Sequence, residues 1–282
     1  MIQNVNRKIS LLSFDIDGTL LNSDSNMSVS TISAIQDVMK RGVKVTLSTG
    51  RVPPMLKSYA NILGIKGPYV AGNGSIVVNN ADNQILFSKP LTDGNLLKLC
   101  DYCKKFQLHY TVQTNRFLYY TKDNPRIPIL DKYNKISKQY GKSQSEYITI
   151  HNHEFDYMYL RAYKVIVLTP TKEQFVMLQR YLDENEGFQY TYSMANSIEI
   201  TAKGTSKGNG IRLVADYYNI PLEEICAFGD YDNDISIFKL VGMNVAMANS
   251  SENLKKIAMY HTASNDNEGI AKALKAMDKC FY

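Results

Sequence analysis

Residues 9–20, ISLLSFDIDGTL, decide the fold. From 9 to 16 almost every side chain is apolar, the pattern of a strand buried on both faces of a parallel sheet, where no polar alternation is needed. Asp15 and Asp17 stand at its end and Gly18 follows. Residues two apart on a strand point to the same side, so both carboxylates can face one site, and the glycine lets the backbone turn sharply after them. Asp15, Asp17, Gly18, Thr19 and Leu20 together would arise by chance about once in a few million starting points, taking each residue at about one in twenty. A turn alone would be better served by neutral residues.

Outward from this stretch the chain alternates. Val29, Ile32, Ile35, Val38 and Met39 recur at helical spacing until Gly42; residues 43–47 read as a strand; Pro53 and Pro54 suit the first turn of a helix carrying Leu56, Tyr59, Ile62 and Leu63; residues 69–71 form a third strand before Gly72. The alternation returns late, with helices at 206–218, 235–240 and 269–277 and strands at 225–228 and 244–247. This order predicts right-handed crossovers and an α/β fold, a doubly wound, mostly parallel Rossmann-like sheet. The core is written in two pieces, 1–86 and 193–282. Between them, over 87–192, lie a tyrosine-rich alternating stretch at 110–121, a polar helical region at 127–140, a strand at 163–169 and a helix at 171–183, together an inserted α+β domain.

The composition, 282 residues with 44% hydrophobic and 21% charged, is that of a globular protein. The net charge of +5 is scattered, so no nucleic-acid footprint is expected. Residues 1–8 are polar and Asp15 and Asp17 interrupt the apolar stretch after them, which speaks against a signal peptide. No run of about eighteen apolar residues occurs, so no membrane span is expected and the cytoplasm is the expected compartment. Cys100 and Cys103 are spaced as C-x-x-C but lack a second pair for zinc, and read as residues of a helix face. His151 and His153 read as surface residues, and Tyr119, Tyr120, Tyr157 and Tyr159 as strand and core residues.

Three further strand or helix ends carry polar groups of the same kind. Ser48, Thr49, Gly50 and Arg51 follow the second strand and offer a hydroxyl, a backbone amide and a cation; Arg51 reads equally as an ion-pairing residue. Lys207 opens a helix, where amides and an ammonium both favour an anion. Gly229, Asp230, Tyr231, Asp232, Asn233 and Asp234 follow the late strand, with Asp232 read as a solvated or helix-terminus acid. Asn73 either supplies a left-handed backbone before Gly74 or faces substrate. Carboxylates converging on one cleft repel unless protonated or bridged by a cation, and hard oxygen ligands suit magnesium.

These four pieces, Asp15-x-Asp17-Gly-Thr-Leu, Thr49-Gly-Arg51, Lys207 and Gly229-Asp230-x-x-Asn233-Asp234, resemble the ordered motifs of the haloacid dehalogenase superfamily. The insertion after the second motif, with the phrases around Asn73, Lys207 and Val245-Ala246-Met247, is similar to the Cof-type (class IIB) phosphatases, whose large cap lies at that place. The resemblance implies a Mg2+-dependent phosphatase acting on a small phosphorylated metabolite, as monomer or weak homodimer, with no nucleic-acid or membrane partner. It implies Asp15 as nucleophile, Asp17 as general acid and base, and Thr49 and Lys207 on the transferring group. Metal would be held by Asp15, the Asp17 backbone carbonyl, Asp230 and Asp234, with Gly50, Arg51, Asn73 and Asn233 toward the phosphate or substrate. A phosphomutase or phosphotransferase of the same fold, and a phospho-receiver, remain alternatives. Substrate choice is expected in the cap, with hinges near Phe87 and Tyr192.

Overall fold

In the computed structural model, which describes residues 7–139, 147–150, 157, 159–194 and 196–281, the strand at the head of the chain is β1, Leu11–Phe14, buried throughout. His151, His153 and the end of the helix expected at 140 lie outside the described residues. After β1 come α1 (Val29–Lys40), β2 (Lys44–Leu47), α2 (Lys57–Leu63), β3 (Pro68–Ala71) and a hairpin of β4 (Ile76–Asn79) and β5 (Ile85–Ser88). Ser28 starts α1 by accepting the Thr31 N–H, and Thr31, Ile35 and Val38 form its buried stripe. Pro53 and Pro54 do not open α2. Neither has an N–H to give, and they make a separate 3-10 turn closed by Met55 N–H to Val52 O and Leu56 N–H to Pro53 O.

The insertion contributes α3 (Asp93–Lys105), β6 (Tyr110–Gln113), β7 (Leu118–Thr121), α4 (Ile127–Gln139), β8 (Tyr147–Ile150), β9 (Lys164–Leu168), α5 (Lys172–Asp183), β10 (Phe188–Met194) and β11 (Ser197–Ala202). The core resumes with α6 (Lys207–Tyr218), β12 (Ile225–Gly229), α7 (Ile235–Phe238), β13 (Met243–Ala246), α8 (Glu252–Ile257), β14 (Tyr260–His261) and α9 (Gly269–Ala276).

Two units result. The first holds the chain up to Gly50, Tyr59–Phe87 and the chain from Ser206; the second holds Arg51–Ser58 and Ser88–Thr205. The boundary expected at 192 therefore moves to 205, because β11, expected in the core, pairs antiparallel with β10 on one side and β9 on the other. Residues 51–58, also expected in the core, group with the insertion.

In the first unit the strands run β14-β13-β12-β1-β2, each neighbouring pair parallel. A parallel bridge from Ser48 to Val70 sets β3 beyond β2. The chain thus winds outward from β1 in one direction and, after the insertion, from β12 in the other, so the reversal of strand order falls between them. A crevice at the carboxyl ends of strands flanking such a reversal is where this architecture binds ligands. Leu11, Ile225, Ala227 and Ala246 pack with Ile211, Val214, Ile237 and Leu254 from α6, α7 and α8 on one face. By the alternation of a strand, Leu12, Phe14, Cys226 and Phe228 turn to the other face, where the Phe14 and Phe228 rings stack at 4.9 Å.

In the second unit the order is β10-β11-β9-β6-β7-β8, antiparallel among the first five strands, with β7 and β8 parallel. One face is apolar: Tyr110, Val112, Val165, Val167, Ile198 and Ile200 meet Leu96, Leu99, Leu178 and Leu182 from α3 and α5. The alternate residues Thr111, Gln113, Lys164, Glu199 and Thr201 are polar yet buried, and Lys164 pairs with Glu199 at 3.1 Å. Cys100 and Cys103 belong to the apolar cluster; burial pushes the Cys100 thiol up to about 12 and raises that of Cys103 as well, so they are packing residues. Tyr119, Tyr120 and Tyr157 are buried, whereas Tyr159 is exposed. Among the described residues no helix is long and apolar enough to cross a membrane.

Candidate active site

Asp15 is the residue after β1, and its N–H still donates to Phe228 O of β12 at 3.0 Å, so its position is set by the sheet ladder. Gly18 follows with φ +77°, and a Cβ there would lie 2.2 Å from Asp230 Oδ2. Glycine is thus needed twice, for the left-handed turn and for the close approach of the β1 loop to the acid that follows β12. Asp234 turns back on the chain: its Oδ2 accepts the N–H groups of Asp230 and Tyr231 at 3.2 and 3.3 Å. Lys207 is the first residue of α6, whose cap Ser206 accepts the Asn209 N–H. The next residue, Gly208, packs so tightly that a Cβ would meet Ser236 O at 2.5 Å.

These elements bring the charges together. Lys207 is fully buried, with Nζ 2.9 Å from Asp15 Oδ1 and 2.7 Å from Asp234 Oδ1. Thr19 Oγ1 donates to Asp230 Oδ1 at 2.9 Å. Burial pushes the Asp15 carboxyl up to about 7, with Lys207 pulling it down and Asp234 and Asp17 adding to the rise. Burial, with Asp15 and Asp234, pushes Asp230 up to about 8 against the opposing pull of Thr19 and Lys207. Burial alone would lower the Lys207 ammonium, but Asp15 and Asp234 outweigh it and hold the group above its ordinary value.

One carboxylate oxygen from each of Asp15, Asp230 and Asp234 lies within 4.8 Å of the others, and these residues can hold a divalent cation. Asp17, expected on the metal through its backbone carbonyl, contributes no carboxylate to that group and is exposed. Both oxygens of Asp234 are engaged, one by Lys207 and one by two backbone amides, which makes it the anchor of the lysine and of the 230–231 backbone.

Thr49 is buried between strand ends, its N–H on Val70 O at 3.1 Å and its carbonyl accepting the Asn73 N–H at 3.0 Å. Asn73 has φ 54°, the left-handed backbone, and its Oδ1 also accepts from Asn233 Nδ2 at 3.1 Å, so it serves both the turn and the site wall. The buried Asn233 Oδ1 and Ser48 Oγ have no hydrogen-bond partner. Gly50 closes its segment of the first unit, while Arg51 falls in the second, its guanidinium over the Tyr133 ring at 5.2 Å. Asp232 accepts from Ser251 Oγ and Asn253 Nδ2 beside the start of α8, as a helix-terminus acid would.

Sequence reading assigned no task to Asn249 or Asn265. Asn249 Nδ2 donates to Gly18 O at 2.8 Å, and Asn265 Nδ2 to Leu21 O at 2.9 Å. The available signal was position: Asn249 lies just past β13, at the same rim of the sheet as Asp15 and Asp230.

The family model of haloacid dehalogenase-like hydrolases matches residues 12–274, which is nearly the whole chain. The chain belongs to the haloacid dehalogenase-like hydrolases. Within them it is a Cof-type, class IIB member and a phosphatase by its relatives. Phosphatase YwpJ of Bacillus subtilis is 27% identical over 282 aligned residues, covering 94% of this chain and 98% of its own. The 5-amino-6-(5-phospho-D-ribitylamino)uracil phosphatase YitU of the same organism is 27% identical, covering 94% and 96%. A solved haloacid dehalogenase-like hydrolase from B. subtilis superposes with TM-score 0.82 at 26% identity, covering 95% of this chain and 99% of that one. The coverage on both sides means that the insertion is part of what is shared.

Proposed function

We propose that this haloacid dehalogenase-like hydrolase is a Mg2+-dependent phosphatase of small phosphorylated metabolites, working through an aspartyl phosphate on Asp15. The observation that carries the reading is Lys207: a fully buried ammonium joined to Asp15 and Asp234 at the crevice where Asp230 also stands. Such a cluster has no use in packing, since burying it costs more than an apolar replacement would. It suits a phosphoryl group, whose charge needs cations and whose transfer needs an oxygen nucleophile.

Asp15 supplies that nucleophile. One of its carboxylate oxygens bonds to phosphorus as the bond from phosphorus to the ester oxygen breaks, and the Asp17 carboxyl gives its proton to the departing oxygen. Water then attacks the same phosphorus, Asp17 takes the proton it loses, and phosphate leaves with Asp15 restored. Lys207, Thr49 and Asn233 hold the transferring oxygens, with Asn73 fixing Asn233. Asp15, Asp230 and the Asp17 carbonyl would hold magnesium, which would supply positive charge to offset the gathered carboxylates and phosphate. The YitU relative's name, a phosphorylated ribityl compound, favours a sugar- or polyol-like phosphomonoester. The reading takes the protein as a monomer or weak homodimer of the cytoplasm, with no nucleic-acid or membrane partner.

The test is release of phosphate from p-nitrophenyl phosphate and a panel of sugar and polyol phosphates, with hydroxylamine trapping of an acyl phosphate. Mg2+-dependent release abolished by chelation, with Asp15 as the trapped residue, is the expected outcome. Chelator-resistant turnover, or return of an isomeric sugar phosphate with little free phosphate, would overturn it, the latter in favour of a mutase.

Metal binding also has a readout apart from activity. Asp15 and Asp230 are raised from 3.8 to about 7 and about 8 on folding, so their contribution to stability is complete below about pH 4 and is lost as pH rises through those values. A cation that needs the deprotonated acids opposes that loss. Saturating Mg2+, worth about 2.7 kcal/mol at a hundredfold excess over Kd, should therefore raise Tm more at pH 8 than at pH 5. An increment that is flat or falls with pH would contradict the assignment.

A further inference from the structure

We infer that Asn249 and Asn265 form an amide clamp that positions Asp17 for proton transfer; the inference rests on the reading of Asp17 as the proton donor. Asp17 lies where β1 gives way to a loop, and the residue after it, Gly18, is left-handed and has no side chain of its own to fix it. Proton delivery to a leaving oxygen needs the donor within hydrogen-bond reach at one moment, so a loose peptide plane beside Asp17 would be costly. Within the loop, Thr19 N–H and Leu21 N–H donate to Ile16 O at 3.4 and 2.9 Å, a bridge joins Asp17 to Leu21, and Thr19 Oγ1 donates to Asp230 at 2.9 Å.

The rest comes from across the chain. Asn249 Nδ2 donates to Gly18 O at 2.8 Å; Asn249 Oδ1 accepts the Asn265 N–H at 3.1 Å; Asn265 Nδ2 donates to Leu21 O at 2.9 Å. Two side-chain amides joined through one backbone amide thus hold the carbonyls of Gly18 and Leu21, the first of them on the peptide next after Asp17. Asp266, the next residue, takes the N–H and hydroxyl of Ser23, each at 2.7 Å, and extends the tie one step along the same loop. The side chain at 249 must donate to Gly18 and accept from Asn265 at once, which the amide of asparagine does. Aspartate could accept but not donate, and alanine does neither.

A merely structural role and a positioning role separate on leaving-group dependence. The phenolate of p-nitrophenyl phosphate departs without a proton, whereas an alkyl phosphate needs one, so the rate of leaving-group release in a single turnover should respond to the clamp only for the alkyl ester. Asn249→Ala is expected to slow the alkyl phosphate about tenfold or more, with p-nitrophenyl phosphate held within about threefold and KM within about twofold. Asn249→Asp, which keeps size and shape should the alanine variant not fold, should lose the same amount. Asn249→Ala with Asn265→Ala should be no worse than the more damaged single variant, as for two links of one chain. Asp17→Asn serves as the reference. If it discriminates between the two esters and the asparagine variants do not, the clamp is refuted alone. If Asp17→Asn slows both esters equally, the proton-donor reading and the clamp fall together.

Discussion

Asp15→Asn is expected to lower kcat by about 10⁴-fold or more while leaving the fold intact, because it removes the proposed nucleophile and changes almost nothing in shape. The stability of the same variant carries a sign that a bystander residue would not give. In the metal-free wild type, burial raises the Asp15 carboxyl from 3.8 to about 7, so the folded state prefers it protonated and loses stability as pH rises through that range. Asparagine is neutral at every pH and also relieves Asp230, which Asp15 helps to raise. Lys207 keeps Asp234 at 2.7 Å as its partner. The variant's Tm should therefore gain on wild type as pH goes from about 4 to about 8, measured in chelator by thermal denaturation. A difference that shrinks over that interval, or activity within tenfold of wild type, would remove Asp15 from its assigned role. A dead enzyme that is the more stable protein at pH 8 is what a site built at the expense of the fold should give.

The core and its rim were legible in the sequence because the same physics writes both. A strand buried on two faces has to be apolar along its length, so the acids that end it stand out, as Asp15 and Asp230 do, while Lys207 is marked by the helix start at Ser206. The insertion was harder to delimit. β11 reads SIEITA, with alternate polar residues, and its Ser197, Glu199 and Thr201 are buried even so. Alternation normally marks a face turned to water, so nothing in the sequence alone separated a buried polar face from an exposed one. The Asn249–Asn265 link was invisible for a different reason. Its bonds join residues more than two hundred positions apart in the chain to backbone carbonyls, which leave no pattern in the partner's side chains. Asn73 shows both at once: its sequence neighbours Gly72 and Gly74 announce the left-handed turn, and only the fold reveals Asn233 on its side chain.

Lys207→Met should have the largest effect on stability. Methionine retains the unbranched apolar stem and removes only the charge, so the change measures the ammonium rather than a cavity. The ammonium is fully buried and lies within 2.9 Å of Asp15 and 2.7 Å of Asp234, and its removal leaves two carboxylates facing each other beside Asp230. Breaking a buried pair from one side costs about 3–5 kcal/mol, because the remaining charges keep their desolvation and lose their partner. The cost is pH-dependent with a definite sign. Lys207 lowers the Asp15 and Asp230 carboxyls, so without it both rise further and stay protonated to higher pH; the deficit should be small near pH 5 and grow toward pH 8. A divalent cation should recover much of the lost Tm, since it would neutralise the same acids, yet kcat should stay down by about 10³-fold because the charge proposed to meet the phosphoryl oxygens is gone. Lys207→Arg should not restore activity: a planar guanidinium is larger than an ammonium, and the buried site has no exposed volume to receive it. Wild-type Tm at pH 8 in Lys207→Met would mean that the carboxylates hold their places without the lysine, and the electrostatic account of the site would fail with it.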